Sequence, residues 1–160
     1  MGGPMTAVEG RVNSAFQTAD LPLAPHTREQ FEKEAADKNV YKARRAQAML
    51  KAYDERREPR AVRFPVQAVR FQRGFTLLAL GGETVVDYAL WAKQNWPKEP
   101  LVVAGYSNDV MCYISNERIL REGGYEAVDS MIYYGQPGPF HPDVEARLKE
   151  AATRTLKRVF

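Results

Sequence analysis

The chain has one cysteine, Cys112, and two histidines, His26 and His141, among its 160 residues. A single cysteine excludes an internal disulfide and any cysteine-cluster zinc site, and it fits either a reducing compartment or a disulfide-free exported protein. The histidines form no HExxH motif and no pair at ligand spacing, and a GxSxG elbow and a phosphate loop are also missing. Nothing approaches the roughly 18 uninterrupted apolar residues that span a bilayer. The opening Met1-Gly2-Gly3-Pro4-Met5 lacks the basic stretch and apolar run of a leader peptide. Charge of one sign is scarce as well: 23 Lys and Arg against 20 Asp and Glu leave a net charge of +3, which points to no nucleic-acid partner.

What is present suffices for one core, with 44% apolar and 11% aromatic residues. Three segments follow from the pattern. Residues 1–26 hold one apolar stretch, Val12 to Leu23, broken by Pro22 and Pro25, and read as an edge strand feeding a loop. Residues 27–58 form a charged helical segment. Thr27 and Gln30 have the form of a capping box, and Val40, Ala43, Ala46, Leu50 and Tyr53 recur on one face of a helix expected to run from Val40 to Arg57. The other face carries Lys42, Arg44, Arg45, Lys51, Arg56 and Arg57. Without interleaved aromatics it reads as a solvated face rather than as a surface for anionic lipid or nucleic acid.

Residues 59–160 change to period two and then alternate. Ala61 to Phe71 and Phe75 to Leu80 predict a hairpin turning at Gln72-Arg73-Gly74. A helix is expected after Gly81-Gly82-Glu83, with Val85, Ala89, Ala92 and Trp96 inward and Val86 and Leu90 widening that face; Pro97 and Pro100 close it. Leu101 to Ala104 reads as a buried strand, Asn116 to Arg121 as a short helix ending at Gly123-Gly124, and Pro142 opens a last helix with Val144, Leu148, Ala151, Ala152, Leu156 and Val159 as its stripe. The expected fold class is therefore α/β, a mixed sheet with a strand-helix-strand unit and flanking helices, forming an incomplete domain with an exposed apolar face.

A strand-helix-strand unit makes its two strands parallel, so the turns after them meet at the carboxyl edge of the sheet, where open α/β sheets bind ligands. Those turns are Gly81-Gly82-Glu83 and Gly105-Tyr106-Ser107-Asn108-Asp109. Glu83 can be a helix-start residue favoured by the local dipole, or a metal ligand or base. Asn108 and Asp109 can be turn and cap residues. Tyr106, Tyr113, Tyr125, Tyr133 and Tyr134 crowd the last third, and composition singles out none of them. His26 and His141 adjoin prolines and suit capping or loop roles.

The run Leu78-Ala79-Leu80-Gly81-Gly82-Glu83, then Gly105-Tyr106-Ser107-Asn108, Tyr113 and Gly124-Tyr125-Glu126, resembles the last part of the catalytic domain of neutral/alkaline (non-lysosomal) ceramidases, its bacterial branch above all. The likeness runs from about Phe75 to Gln136 and extends more loosely upstream. It implies that Glu83 and Tyr113 are metal ligands to a catalytic Zn2+, otherwise held by two histidines, and that Tyr125 hydrogen-bonds the reacting amide oxygen of a ceramide-like lipid. The family's histidine ligands, nucleophilic serine and histidine acid/base all lie upstream of the matched region, and residues 1–74 carry none of their motifs. The resemblance therefore implies a C-terminal segment that is inactive or binds zinc weakly without an N-terminal half as partner. A full-length form would be secreted or periplasmic. The competing expectation is a non-catalytic α/β binding or interaction module using the same sheet edge.

Overall fold

In the computed structural model the described residues are 7–160, with the side chain of Arg73 set aside; the reading of Gly2, Gly3 and Pro4 lies outside them. The protein is mixed α/β. A four-stranded sheet has the order β1 (Glu9–Pro22), β2 (Ala61–Arg73), β3 (Thr76–Leu80), β5 (Leu101–Ala104). β1 to β2 and β2 to β3 are antiparallel, whereas β3 to β5 is parallel. A second, two-stranded ribbon pairs β4 (Glu83–Thr84) with β6 (Tyr113–Ile114) in parallel. The helices are α1 (Arg28–Glu34), α2 (Val40–Asp54), α3 (Val86–Asn95), α4 (Glu117–Glu122) and α5 (Val144–Lys157), with a 3₁₀ turn at Asp129–Ile132.

The expected strand-helix-strand unit is β3-α3-β5, and its parallel pairing runs from Thr76 opposite Leu101 to Ala79 opposite Ala104. The hairpin closes where expected, Phe71 N–H donating to the Phe75 carbonyl. Pro65 sits inside β2 without weakening its pairing to β1. Its carbonyl accepts from Gly81 N–H at 3.1 Å, so its missing N–H points the same way, beyond Leu80 at the end of β3.

The core lies on one face of this sheet. Val62, Phe64, Val66 and Ala68 of β2 pack with Leu78 and Leu80 of β3, with Tyr88 and Ala92 of α3, and with the whole stripe of α5, Val144 to Val159, all buried. α5 is tied to β1 by the Gln17 amide, which donates to the Ala151 carbonyl and the Thr155 hydroxyl, both at 2.6 Å. The pleat sends Val12, Phe16 and Val102 to the opposite face, where they are 56%, 52% and 49% exposed. Exposed Ser14, Thr18, Asp20 and Arg63 share that face, so the back of the sheet is mixed rather than continuously apolar.

A second, smaller cluster of Phe31, Ala46 and Met49 holds α1 against α2. Here four expectations need correction. Thr27 accepts from Gln30 N–H, but the Gln30 side chain donates to Glu34, so only half of the capping box forms. α2 ends at Asp54 rather than Arg57, and Val40 is 60% exposed. Arg45, placed on the solvated face, is 7% exposed: its guanidinium pairs with Glu34 and lies over the Phe31 ring. In α3, Val86 and Leu90 face solvent at 67% and 54% exposure, because Tyr88 and Ala92 fill the inward positions.

Candidate functional site

Glu83 does not start a helix. Residues 83–84 first pair with β6, and α3 begins three residues later behind Val85, which makes no side-chain cap. That added ribbon places Glu83 in direct register with Tyr113, its N–H donating to the Cys112 carbonyl at 2.9 Å. The turn leading into it demands glycine: Gly82 has φ +63°, and a Cβ there would lie 2.7 Å from Ile114 Cγ1 and 2.8 Å from the Cys112 carbonyl oxygen.

The two turns meet as the topology requires. Tyr106 N–H donates to the Gly82 carbonyl at 2.8 Å, Ser107 N–H to the Leu80 carbonyl at 3.0 Å, and Gly82 N–H to the Asp109 carbonyl at 2.8 Å. Tyr106 and Asn108 take φ +53° and +68°. For a bulky tyrosine that conformation is costly, and such strain persists where surrounding contacts enforce it. Asn108 and Asp109 serve the turn itself, Asp109 accepting from Val110 N–H and the Asn108 amide donating to Gln67.

The Glu83 carboxylate acts on the phenols of Tyr106 and Tyr113. Hydrogen bonding to it, then desolvation and its negative charge, push the Tyr106 phenol up to about 12 and raise that of Tyr113 further. Tyr134 is raised first by burial and then by the same charge. Tyr125, 50% exposed, stands edge-on to Tyr113 with ring centroids 5.8 Å apart. The row continues through Tyr133, 6.5 Å from Tyr125, to Tyr41 on α2, 5.1 Å from Tyr133. Cys112 beside Glu83 is buried and its thiol is pushed up to about 12, leaving it inert.

Glu83, Tyr113 and Tyr125 are thus neighbours. The histidines are elsewhere. His26 is buried between the Tyr53 hydroxyl at 2.9 Å and the Pro59 carbonyl at 2.7 Å, and His141 accepts from Asp143 N–H just before α5. Among the described residues no three His, Cys, Asp or Glu side chains are grouped to hold a metal. Glu83 and Tyr113 offer two oxygen ligands, a donor set that fits zinc only when nitrogen ligands are added. Tyr106 and Tyr134 stood among the five crowded tyrosines of the sequence but were not singled out as site residues; the one available signal was the position of Tyr106 directly after the turn glycine, Gly105. Comparisons with protein families, with curated proteins and with solved structures find no match to the chain.

Proposed function

We propose that this chain carries the oxygen-ligand half of a zinc amidohydrolase site acting on N-acylated amphiphiles of the ceramide type. The observation that supports it is the juxtaposition of Glu83 and Tyr113 in one register position, with the Tyr125 ring 5.8 Å from Tyr113, at the carboxyl edge of a parallel strand pair. In this reading Glu83 and Tyr113 are the ligands, and the bound ion would supply an activated water and polarise the amide carbonyl. Tyr125, exposed beside them, donates a hydrogen bond to the amide oxygen as negative charge develops there. In this reading the Tyr106 phenol on the neighbouring turn, raised by the Glu83 carboxylate, helps to orient it.

The histidine ligands and the nucleophile would come from polypeptide beyond this sequence or from a separate chain. Val12, Phe16 and Val102, exposed on the back of the sheet among polar residues, are consistent with a packing partner of that kind. Alone, this chain is expected to leave ceramide intact.

The test is a calorimetric zinc titration of the chain against its Glu83→Ala and Tyr113→Phe variants, read together with tyrosinate absorbance. Weak zinc binding that perturbs a tyrosine and falls by about tenfold or more in either variant supports the assignment. Equal binding by all three proteins sinks it, in favour of the non-catalytic module. Among the described residues no helix is long and apolar enough to cross a membrane.

A further inference from the structure

The tyrosine row ends at a cavity of about 450 Å³ between the α1–α2 pair and the 128–139 segment. Its size falls in the range of about 300–1,000 Å³ usual for small-molecule sites. Part of its wall is apolar, through Val128, Ile132, Pro137 and Pro139, and part is ionisable. A guest has to satisfy both.

The ionisable groups leave one negative charge uncompensated. Arg45 of the wall is paired to Glu34, and Lys42 to Asp37 at 2.9 Å. Asp129, exposed at the start of the 3₁₀ turn, also lines the cavity and forms no ion pair or side-chain hydrogen bond among the described residues. An anion is repelled by that carboxylate, and a neutral guest leaves it unused. A metal ion is poorly served, because Glu34 is held by Arg45 and a hard cation asks for several oxygen ligands. An alkylated ammonium fits both parts of the wall: its charge faces the carboxylate while its alkyl groups lie on the apolar side chains. The ring of Tyr133, 52% exposed, lines the same cavity, and aromatic rings attract such cations through their quadrupole. Tyr41 of α2 stands edge-on to that ring, with centroids 5.1 Å apart, and ties it to the helical pair.

We propose that this cavity binds a small organic cation, an alkylated ammonium of the choline type, with Asp129 as its counter-ion and Tyr133 as its aromatic wall. The inference goes beyond the function proposed above and does not rest on it. Glu83, Tyr113 and Tyr125, the residues assigned to the zinc and the amide, do not line the cavity. Glu83 is nevertheless the rival carboxylate, since it too forms no ion pair among the described residues and acts on neighbouring tyrosines. The experiment has to separate the two.

It is a titration of the isotope-labelled full chain, followed by backbone amide chemical shifts and without added zinc. The probes are choline, its uncharged isostere dimethylbutanol, in which carbon replaces nitrogen, and methylammonium, which carries the charge with little apolar surface. Choline is expected to bind about tenfold tighter than the isostere, with the shifts concentrated in residues 39–45 and 128–139. Asp129→Asn should remove that advantage. Tyr133→Leu, which keeps apolar area without the quadrupole, should weaken choline about threefold. The comparison of choline with its isostere on the unaltered chain decides the matter even where a variant fails to fold. Equal binding of the two, methylammonium binding as tightly as choline, or an advantage kept in a folded Asp129→Asn variant overturns the site. So do shifts centred on residues 83 and 106–113, which would move the cation to Glu83. Retention of the chain on phosphatidylcholine vesicles, reversed by excess choline, assigns the cation to a lipid headgroup; choline binding without retention assigns it to a free ligand. Because zinc is absent, equal zinc binding by Glu83→Ala would defeat the metal assignment and leave this result standing.

Discussion

Two glutamates in this molecule are treated differently, and their surroundings divide it into two regions. Glu34 belongs to the α1–α2 pair, where only Phe31, Ala46 and Met49 are buried, with Ala35, Leu50 and Tyr53 packed against them, and a guanidinium neutralises the carboxylate. Glu83 belongs to the edge of the sheet, whose large core includes Leu78, Leu80, Ile114 and the α5 stripe; its carboxylate forms no ion pair among the described residues and raises the phenols of Tyr106 and Tyr113. The sheet is held by apolar area and can leave a polar group uncommitted at its edge. The α1–α2 helical hairpin has little apolar area and is held by polar pairs: Arg45 with Glu34, Arg28 with Asp54, and His26 with Tyr53 and the Pro59 carbonyl. A carboxylate matched by a cation is structural; one without an ion pair is available to a ligand.

The largest effect is expected from the apolar side of this comparison. Leu78 is fully buried between β2 and β5, and Leu78→Ala removes part of the contact on which the sheet rests. It should cost about 2–5 kcal/mol and lower the thermal midpoint of the entire domain, hairpin included. A midpoint shift confined to the hairpin would break the division.

Glu34→Gln should cost less and act locally. It leaves the Arg45 charge, 7% exposed, without its partner. Breaking a fully buried pair costs about 3–5 kcal/mol; with Glu34 still 16% exposed, the expected cost is about 2 kcal/mol. Hydrogen exchange should rise across residues 28–54 while β2 and β3 keep their protection. Uniform acceleration through the sheet would show that the two regions fold as one unit.

This division also explains how much the sequence disclosed. Elements whose geometry is set by apolar periodicity were legible: the α5 stripe is buried along its length, and β3-α3-β5 formed with its two strands adjacent and parallel. The meeting of the Glu83 and Tyr106 turns followed from that topology alone. Elements set by polar pairing were not legible. Arg45 counts as a surface cation in any composition, although it stands one turn before Met49 and two before Tyr53, on the buried side of α2. The two-residue ribbon of β4 and β6 is too short to leave a period, so Glu83 read as well as a helix start as a ligand. Pairing with residues thirty positions away, a tertiary effect, decided between the two. Val86 and Leu90 fit the helical period but lost the inward positions to Tyr88, whose hydroxyl donates to the Ser115 carbonyl.

The smallest expected effect belongs to Glu83→Gln at neutral pH, where removing this carboxylate breaks no ion pair among the described residues and should leave the thermal midpoint nearly unchanged. Its signature appears in alkali. In the folded protein Tyr106 is pushed up to about 12, with Tyr113 raised as well, whereas tyrosines of the unfolded chain lose their protons near about 10. Between those values the folded state holds more protons than the unfolded state, so stability falls as pH rises through that window. The glutamine variant lacks the negative charge that keeps the phenols protonated. Tyrosinate absorbance should then develop at lower pH, and the alkaline loss of stability should be shallower. Tyr88, raised chiefly by its own burial, keeps its late titration in both proteins and serves as the internal control. Superimposable titrations would mean that Glu83 does not act on the phenols, and the contrast between a spent and an available carboxylate would fall with them.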